Sequence, residues 1–542
     1  MAINGSAKQD KAASLSAHPE QCSNSKFMIP SFFLAGAVFL PFLAGVAVMI
    51  SRASKARLGL QWMLAFLGVA LSWLFLFGLR FSLPHSLSLA TWQPQILFPL
   101  SPELLADGFS WAVALALATA GGAVLLTEAT NPSGSLVFGW TSSLILLGLG
   151  LFAVFAGNEL TLLLAWAAID LVELGIWLSR PAQPTLRERV ILAFSSRTFG
   201  VMLALWGLGS PWAYGLSILL RWGVFPFHLP YLESQELRRG LGTIIRLVPP
   251  LTTIPLLARL ADYAYFQTQE GIGLLISLIS LAATILWLNS TQPLEGRPFW
   301  IIATAAFAFY AATINRPEAV IAWGMILAFC GVLLFVFESR PRLWPVGIGA
   351  QMLLLLGLPF TPFWDILRIY RSEWTLPEVL LSLSHLFLAA GYLRFLLQKP
   401  DVPLPGEPWG KALYPLAFYA TLGVSVAIGY GGWRSTLETA LESPYLVLRT
   451  PLDYLLGLGL SLAGIGFAFG AKQLHLKRQF PAAWVDLLSL EWIYQALRWS
   501  FHQLGTLYRQ VETILEGRGG LLWAWVVLLL LFRTFSLLSR GE

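Results

Sequence analysis

From Phe27 to Leu538 the chain alternates long apolar runs with short polar, proline-marked or glycine-marked breaks. The runs are about 17 to 24 residues long, enough for a helix to cross a hydrocarbon core of about 30 Å. The pattern predicts about sixteen spans. They are Phe27–Ile50, Leu58–Phe81, Phe109–Leu126, Leu136–Ala156, Leu160–Leu178, Val190–Leu208, Tyr214–Tyr231 and Ile244–Ala261, then Ile272–Leu288, Phe299–Ile314, Ala319–Phe337, Val346–Phe360, Val379–Leu397, Ala412–Tyr430, Tyr454–Phe469 and Leu521–Leu538. Alternating ten-residue segments are missing, which argues against a β-barrel. In lipid the helix is then the way left to satisfy the backbone. The expected fold class is all-α, a polytopic membrane protein.

One stretch departs from this rhythm. Between Trp484 and Glu516 the chain is too polar to span, yet Leu487, Leu490, Tyr494, Leu497, Phe501, Leu504, Tyr508, Val511 and Leu515 recur at steps of three and four. That spacing places them on one helical stripe. Such a helix, about 45 Å long at 1.5 Å per residue, is expected to lie flat on the cytoplasmic surface. It is either a simple interfacial helix or a lateral brace on other helices. Residues 1–26 are polar and lack an apolar core, so they are expected to form a disordered tail before a retained first helix. The division expected is 1–26 tail, 27–470 transmembrane core, 471–520 lateral amphipathic helix and 521–542 final span.

Composition agrees with a membrane location. Of the 542 residues 56% are hydrophobic and 12% charged, against about 25% charged in soluble domains. The net charge of +6 does not point to nucleic acid. Arg52, Lys55, Arg57, Arg187, Arg189, Arg239, Arg297, Arg340 and Lys411 fall in alternate loops, which the positive-inside rule places in the cytoplasm with the N-terminal tail outside. Cys22 and Cys330 lie in a polar tail and an apolar run, with neither disulfide nor metal spacing. Walker loop, dinucleotide fingerprint, iron–sulfur cluster and haem pair all lack their residues. No cofactor and no metal are expected.

The available chemistry is that of ionisable side chains within lipid, which are costly there and mark ion paths. Asp170 and Glu173 lie three apart on one helical face. They can exchange protons, or form structural ion pairs with arginines such as Arg197. In Arg221-Trp222-Gly223-Val224-Phe225-Pro226-Phe227-His228-Leu229-Pro230 the proline is expected to break the helix near Arg221. Arg221 keeps its charge and can hold water, a carboxylate or an anion. His228 can relay a proton, or can be a loop residue with a backbone partner. Gly357-Leu358-Pro359-Phe360-Thr361-Pro362-Phe363-Trp364-Asp365 echoes that segment five spans later. There Asp365 is a candidate carrier or a helix-terminal acid. Arg246, before Pro249-Pro250, is a further candidate.

On these motifs the chain resembles the antiporter-like membrane subunits shared by complex I, the NADH–quinone oxidoreductase, and the multisubunit cation/proton antiporters. Ala106-Asp107-Gly108-Phe109-Ser110 resembles the family's segment before the third span. Asn158 to Trp166 resembles its fifth span, Arg221 to Pro230 its seventh and Gly357 to Trp364 its twelfth. The flat helix and last span resemble the lateral arm of larger members. The resemblance implies two inverted five-helix repeats with broken seventh and twelfth helices. It also shows departures. Where the family has its fifth-span Glu, this chain has Ala167, with Asp170 or Glu173 a turn away. Arg221 stands for the seventh-span Lys, the eighth-span Lys or His falls near Leu251, and the twelfth-span charge falls near Asp365. No lysine occurs between Lys55 and Lys399.

The function expected from the resemblance is a proton-conducting or cation/proton-exchanging subunit of a larger assembly. It would sit in an energy-transducing membrane, a bacterial plasma membrane or a thylakoid, with other membrane subunits, lipid and small cations or protons as partners. As an enzyme it could only be a translocase subunit, since it has no redox site of its own. The alternatives are a non-conducting scaffold subunit that kept the fold, and an anion or inorganic-carbon carrier built on Arg221.

Overall fold

The structure is a computed structural model. It describes residues 24–89, 101–130, 136–179, 184–231, 239–261, 270–342, 344–357, 361, 363–370, 375–398, 408–429, 490–516 and 520–538, with a few single positions between 459 and 488. The expected tail before Asn24, all but four positions of the span Tyr454–Phe469, and the prolines Pro359 and Pro362 lie outside the described residues. Two compact units, residues 1–479 and 480–542, are described separately.

The first unit is almost wholly helical. It begins with α1 (Asn24–Ala53) and α2 (Leu58–Leu79), followed by the short strands β1 (His85–Ser88) and β2 (Glu103–Ala106). Next come α3 (Gly108–Thr130), α4 (Leu136–Val154), α5 (Glu159–Leu178), α6 (Pro184–Trp206) and α7 (Pro211–Trp222). Then follow α8 (Arg239–Leu251), α9 (Ile254–Leu260), α10 (Glu270–Asn289), α11 (Pro293–Thr313), α12 (Pro317–Phe335), α13 (Trp344–Leu356), α14 (Leu376–Leu397) and α15 (Pro408–Ala427). Among the described residues, nine helical stretches are long and apolar enough to cross a membrane, and three shorter apolar helices accompany them. The chain is an all-α polytopic membrane protein.

Burial sorts these helices into centre and rim. α12 and α3 are apolar all round and buried almost throughout, as expected of helices enclosed by others. On α1, α2 and α6 large apolar side chains such as Phe32, Leu43, Met63, Phe199 and Met202 are exposed. In water so much exposed apolar surface would be unfavourable; on the rim of a membrane bundle it faces lipid.

Local chemistry sets several boundaries. Asp107 and Ser110 cap α3 reciprocally: the Ser110 amide donates to Asp107 Oδ1 at 2.7 Å and the Asp107 amide to Ser110 Oγ at 2.9 Å. Asp107 also binds Arg259 of α9 at 2.8 Å. The Asp-Gly-Phe-Ser motif thus starts one helix and ties it to another. β1 and β2 pair antiparallel, and the Gly157 amide donates to the Glu103 carbonyl at 2.8 Å, fastening this hairpin where α4 turns into α5. The sequence pattern gave no sign of these strands, because each is only four residues long.

The expected seventh span, Tyr214–Tyr231, is not one helix. α7 stops at Trp222, and Gly223 takes a left-handed conformation at φ +64°. The Gly223 and Val224 amides close the end by donating to Leu220 and Leu219, a glycine-terminated C-cap. The break therefore begins three residues before Pro226. The expected eighth span is also divided. Pro249 and Pro250 lack amide donors, α8 ends at Leu251, and Thr252 and Thr253 form a turn before α9. α13 likewise ends at Leu356, with Gly357 at φ +57° and a 3₁₀ turn over Trp364–Ile369. In the second unit α16 (Glu491–Glu516) is helical over most of the amphipathic stretch, and α17 (Gly520–Leu538) is an apolar helix.

Candidate functional site

Asp170 is the twelfth residue of α5 and lies near the middle of that span. Arg221, in the last turn of α7, meets it with both terminal nitrogens: Nη1 donates to Oδ1 at 2.8 Å and Nη2 to Oδ2 at 3.0 Å. Two parallel bonds match the planar fork of a guanidinium to a carboxylate. The break after Trp222 puts this arginine at a helix end inside the bundle. The Tyr231 hydroxyl also donates to the Leu220 carbonyl of that end, at 3.3 Å.

One turn further along α5, Glu173 is held by Arg197 of α6. Arg197 Nη2 donates to Glu173 Oε1 at 2.9 Å, and Nη1 bonds Oε2 closely. The same Nη1 reaches Asp170 Oδ1 at 3.4 Å, and Nε donates to the Tyr231 hydroxyl at 3.2 Å. Asp170, Glu173, Arg197 and Arg221 are all at most 6% exposed. They form one buried quartet of two carboxylates and two guanidiniums. Such balance is what a buried charge needs, since removing one partner would cost about 3–5 kcal/mol.

Aromatic rings line the quartet. The Arg221 guanidinium carbon is 4.6 Å from the centre of the Trp166 ring, and Arg197 is 5.1 Å from that of Tyr231. The Trp166 indole donates to Thr252 Oγ1 at 3.2 Å, and the Trp222 indole to Thr253 Oγ1 at 2.8 Å. The two indoles anchor the turn between α8 and α9, Trp166 to α5 and Trp222 to the end of α7. Gly223 is required there, because a Cβ would come within 2.3 Å of the Tyr231 ring.

Two cavities lie toward opposite ends of α5. One of about 20 Å³ is lined by Asp170, Glu173, Arg197 and Arg246 beside Val190 and Pro230; it has room for roughly one water. The other, of about 200 Å³, gathers Asn158, Glu159, Tyr214, Thr252 and Arg259 at the opposite ends of α4, α5, α7 and α9. Thr252 lines this larger cavity and also accepts from Trp166, whose ring carries Arg221.

Of the residues singled out from sequence, Asp170, Glu173 and Arg221 come together, and Arg246 joins them at the small cavity, 5.7 Å from the Tyr231 ring. His228 follows the break, 1% exposed, with its ring edge-on to Phe225 at 4.3 Å. Asp365 stands apart. It binds Arg368 at 2.9 Å, and Arg368 in turn approaches Glu318 at 3.6 Å; it lines neither cavity. Sequence reasoning missed Tyr231, Thr252 and His385. His385 of α14 is 2% exposed and lies 2.9 Å from the Leu355 carbonyl through Nε2, with Nδ1 3.2 Å from the Tyr370 hydroxyl. A carbonyl only accepts, so Nε2 carries the proton and Nδ1 accepts from Tyr370. This places His385 against the broken end of α13. The two threonines after a double proline were the available signal for a kink; Tyr231 and His385 had none.

No family model matches the sequence, and no curated protein matches it. Solved structures do. A chain of the Mrp complex from Dietzia sp. aligns over 93% of this chain at 13% identity with a TM-score of 0.67, and this chain spans 63% of that one. A chain of the membrane-bound sulfane sulfur reductase, an archaeal respiratory membrane complex, aligns over 92% of this chain and 100% of its own length at 14% identity, TM-score 0.62. A chain of respiratory complex I from Thermus thermophilus aligns over 72% of this chain and 97% of its own at 17% identity, TM-score 0.54. With so little identity the likeness is one of fold, and the chain has the fold of the antiporter-like membrane subunits that its motifs resemble.

Proposed function

We propose that this chain is an ion-translocating membrane subunit of a multisubunit complex, moving protons or exchanging a cation for protons in an energy-transducing membrane. The observation that carries the reading is the Asp170–Arg221 pair at the interrupted end of α7. A broken helix inside a bundle exposes backbone groups that only protein or water can satisfy, and a buried charge set beside it marks an ion path. Asp170 and Glu173 are the proton carriers in this reading, because an arginine does not release its proton at ordinary pH. Arg221 and Arg197 are counter-charges. A proton arriving on Asp170 weakens its hold on Arg221, and the guanidinium is then drawn toward Glu173 or the cavity water. Arg246 and His228 flank the path toward the end of α7 where the chain has broken. Asp365 with Arg368 is a terminal ion pair of the second half.

The scaffold reading keeps the same pair as a rivet. The anion-carrier reading fits less well, since both Asp170 oxygens already occupy the Arg221 fork and an anion would have to displace them. The test is proton flux, followed with a pH dye, in vesicles holding the assembled complex. Asp170→Asn, Glu173→Gln and Arg221→Gln are expected to assemble and to lose flux. Unchanged flux in all three would remove these residues from the path, while an assembled wild type without flux would leave the scaffold role.

A further inference from the structure

The larger cavity lies at the end of the bundle opposite the quartet's small one, and its lining is uneven in charge. Two charged residues line it, Glu159 and Arg259. Arg259 is already neutralised, with Nη2 2.8 Å from Asp107 Oδ2 and Nη1 3.2 Å from the Ala156 carbonyl. Glu159 is partly exposed, and among the described residues no cation pairs with it. Glu159 also sits in the first turn of α5 behind the Asn158 cap. A helix-stabilising role accounts for an acid there at about 0.3–1 kcal/mol, but not for the cavity of about 200 Å³ in front of it.

We infer that this cavity is a hydrated, cation-collecting vestibule on the face where α1 begins, with Glu159 as its charge and Thr252 at its floor. The ligand class is a small hydrated cation or a protonated water, drawn by one unbalanced carboxylate. From Glu159 to Asp170 is about 16 Å along α5 at 1.5 Å per residue. The floor at Thr252 is bonded to Trp166, whose ring carries Arg221. A cation gathered at Glu159 therefore stands one aromatic layer from the quartet. As an access route the vestibule rests on the transport reading above; as a chamber that prefers cations it is tested independently of flux.

The experiment uses the full-length protein in its complex, in sealed membrane vesicles, with Cys22→Ser and Cys330→Ala removing native thiols. Leu256→Cys places a thiol on the vestibule wall. It is treated from each face with membrane-impermeant methanethiosulfonates, one carrying a trimethylammonium group and one a sulfonate. The expected result is modification from the face of α1's start only, about five-fold or more faster for the cationic reagent once each rate is scaled to a free thiol. Adding Glu159→Gln should bring that ratio close to one. A thiol that does not react from that face, a ratio of one or below, or a ratio unmoved by Glu159→Gln would overturn the inference. Proton flux that survives full modification would overturn the access route. Absence of flux in the unmodified complex would overturn the transport reading and leave the charge preference to be judged by the rates.

Discussion

The Arg221 guanidinium lies 4.6 Å from the centre of the Trp166 indole, whose N–H points away to Thr252. One aromatic ring thus supports the charge of α7 and fastens the division between α8 and α9. Trp166→Phe keeps the ring and removes the donor. It is expected to cost about 1 kcal/mol, the worth of one hydrogen bond. Trp166→Ala is expected to cost about 3–5 kcal/mol, because it also empties a fully buried site. Thermal unfolding of the purified complex checks the order; equal losses for the two variants would deny the ring its supporting role.

Neutralising Asp170 leaves two guanidiniums facing one carboxylate. Asp170→Asn is expected to lower stability by about 3–5 kcal/mol. Asp170→Asn combined with Arg221→Gln restores charge balance and is expected to lose clearly less than the sum of the two single changes. A double-mutant cycle on the unfolding temperature reads this directly, and strict additivity would mean that the pair does not act as a unit.

Arg197→Lys keeps the charge and loses the geometry. An ammonium cannot hold both Glu173 oxygens, reach Asp170 and donate to Tyr231 at once. Flux in vesicles is expected to fall several-fold or more, with assembly retained in size-exclusion chromatography. A variant that conducts as well as wild type would show that charge alone suffices at this position.

Gly223 and Gly357 close the two broken helices at positive φ, and an added Cβ would come within 2.3 Å of the Tyr231 ring and 2.4 Å of an Ile366 side-chain carbon. Gly223→Ala and Gly357→Ala are therefore each expected to destabilise by about 1–3 kcal/mol, visible as a lowered melting temperature. By contrast Gly175→Ala, at an α5 position with open space around an added Cβ, is expected to be neutral or slightly stabilising.

Much of the charged quartet was legible in the sequence because intramembrane charge is so costly. Asp170 and Glu173 at a spacing of three, with Arg221 before a proline, had to find partners, and they found each other. Arg197 could be named only as one available counter-charge, since nothing in a single sequence says which face of α6 meets α5. The break fell where it was expected, beside Arg221, but its cause was only half legible: proline marks where a helix cannot continue, while the turn itself is made where glycine can adopt positive φ, so α7 ends at Trp222 with Gly223 as its cap. Tyr231 read as an ordinary residue near a span end. Its role depends on the chain folding back after the break, which brings its hydroxyl to Leu220, eleven residues earlier. Asp365 shows the opposite case. Its echo of the Arg221 segment was real at the level of a broken helix, yet its partner is Arg368, three residues on.

The quartet has an electrical consequence. Two carboxylates and two guanidiniums sum to zero, so a movement that carries all four together shifts no net charge across the membrane field. Full transfer of one elementary charge is worth about 2.3 kcal/mol per 100 mV. The membrane voltage can therefore act on this site only when a charge joins or leaves the set, or when its members separate. A rearrangement of α5, α6 and α7 as one body would be electrically silent, so in the transport reading proposed above any voltage dependence would report the travelling ion.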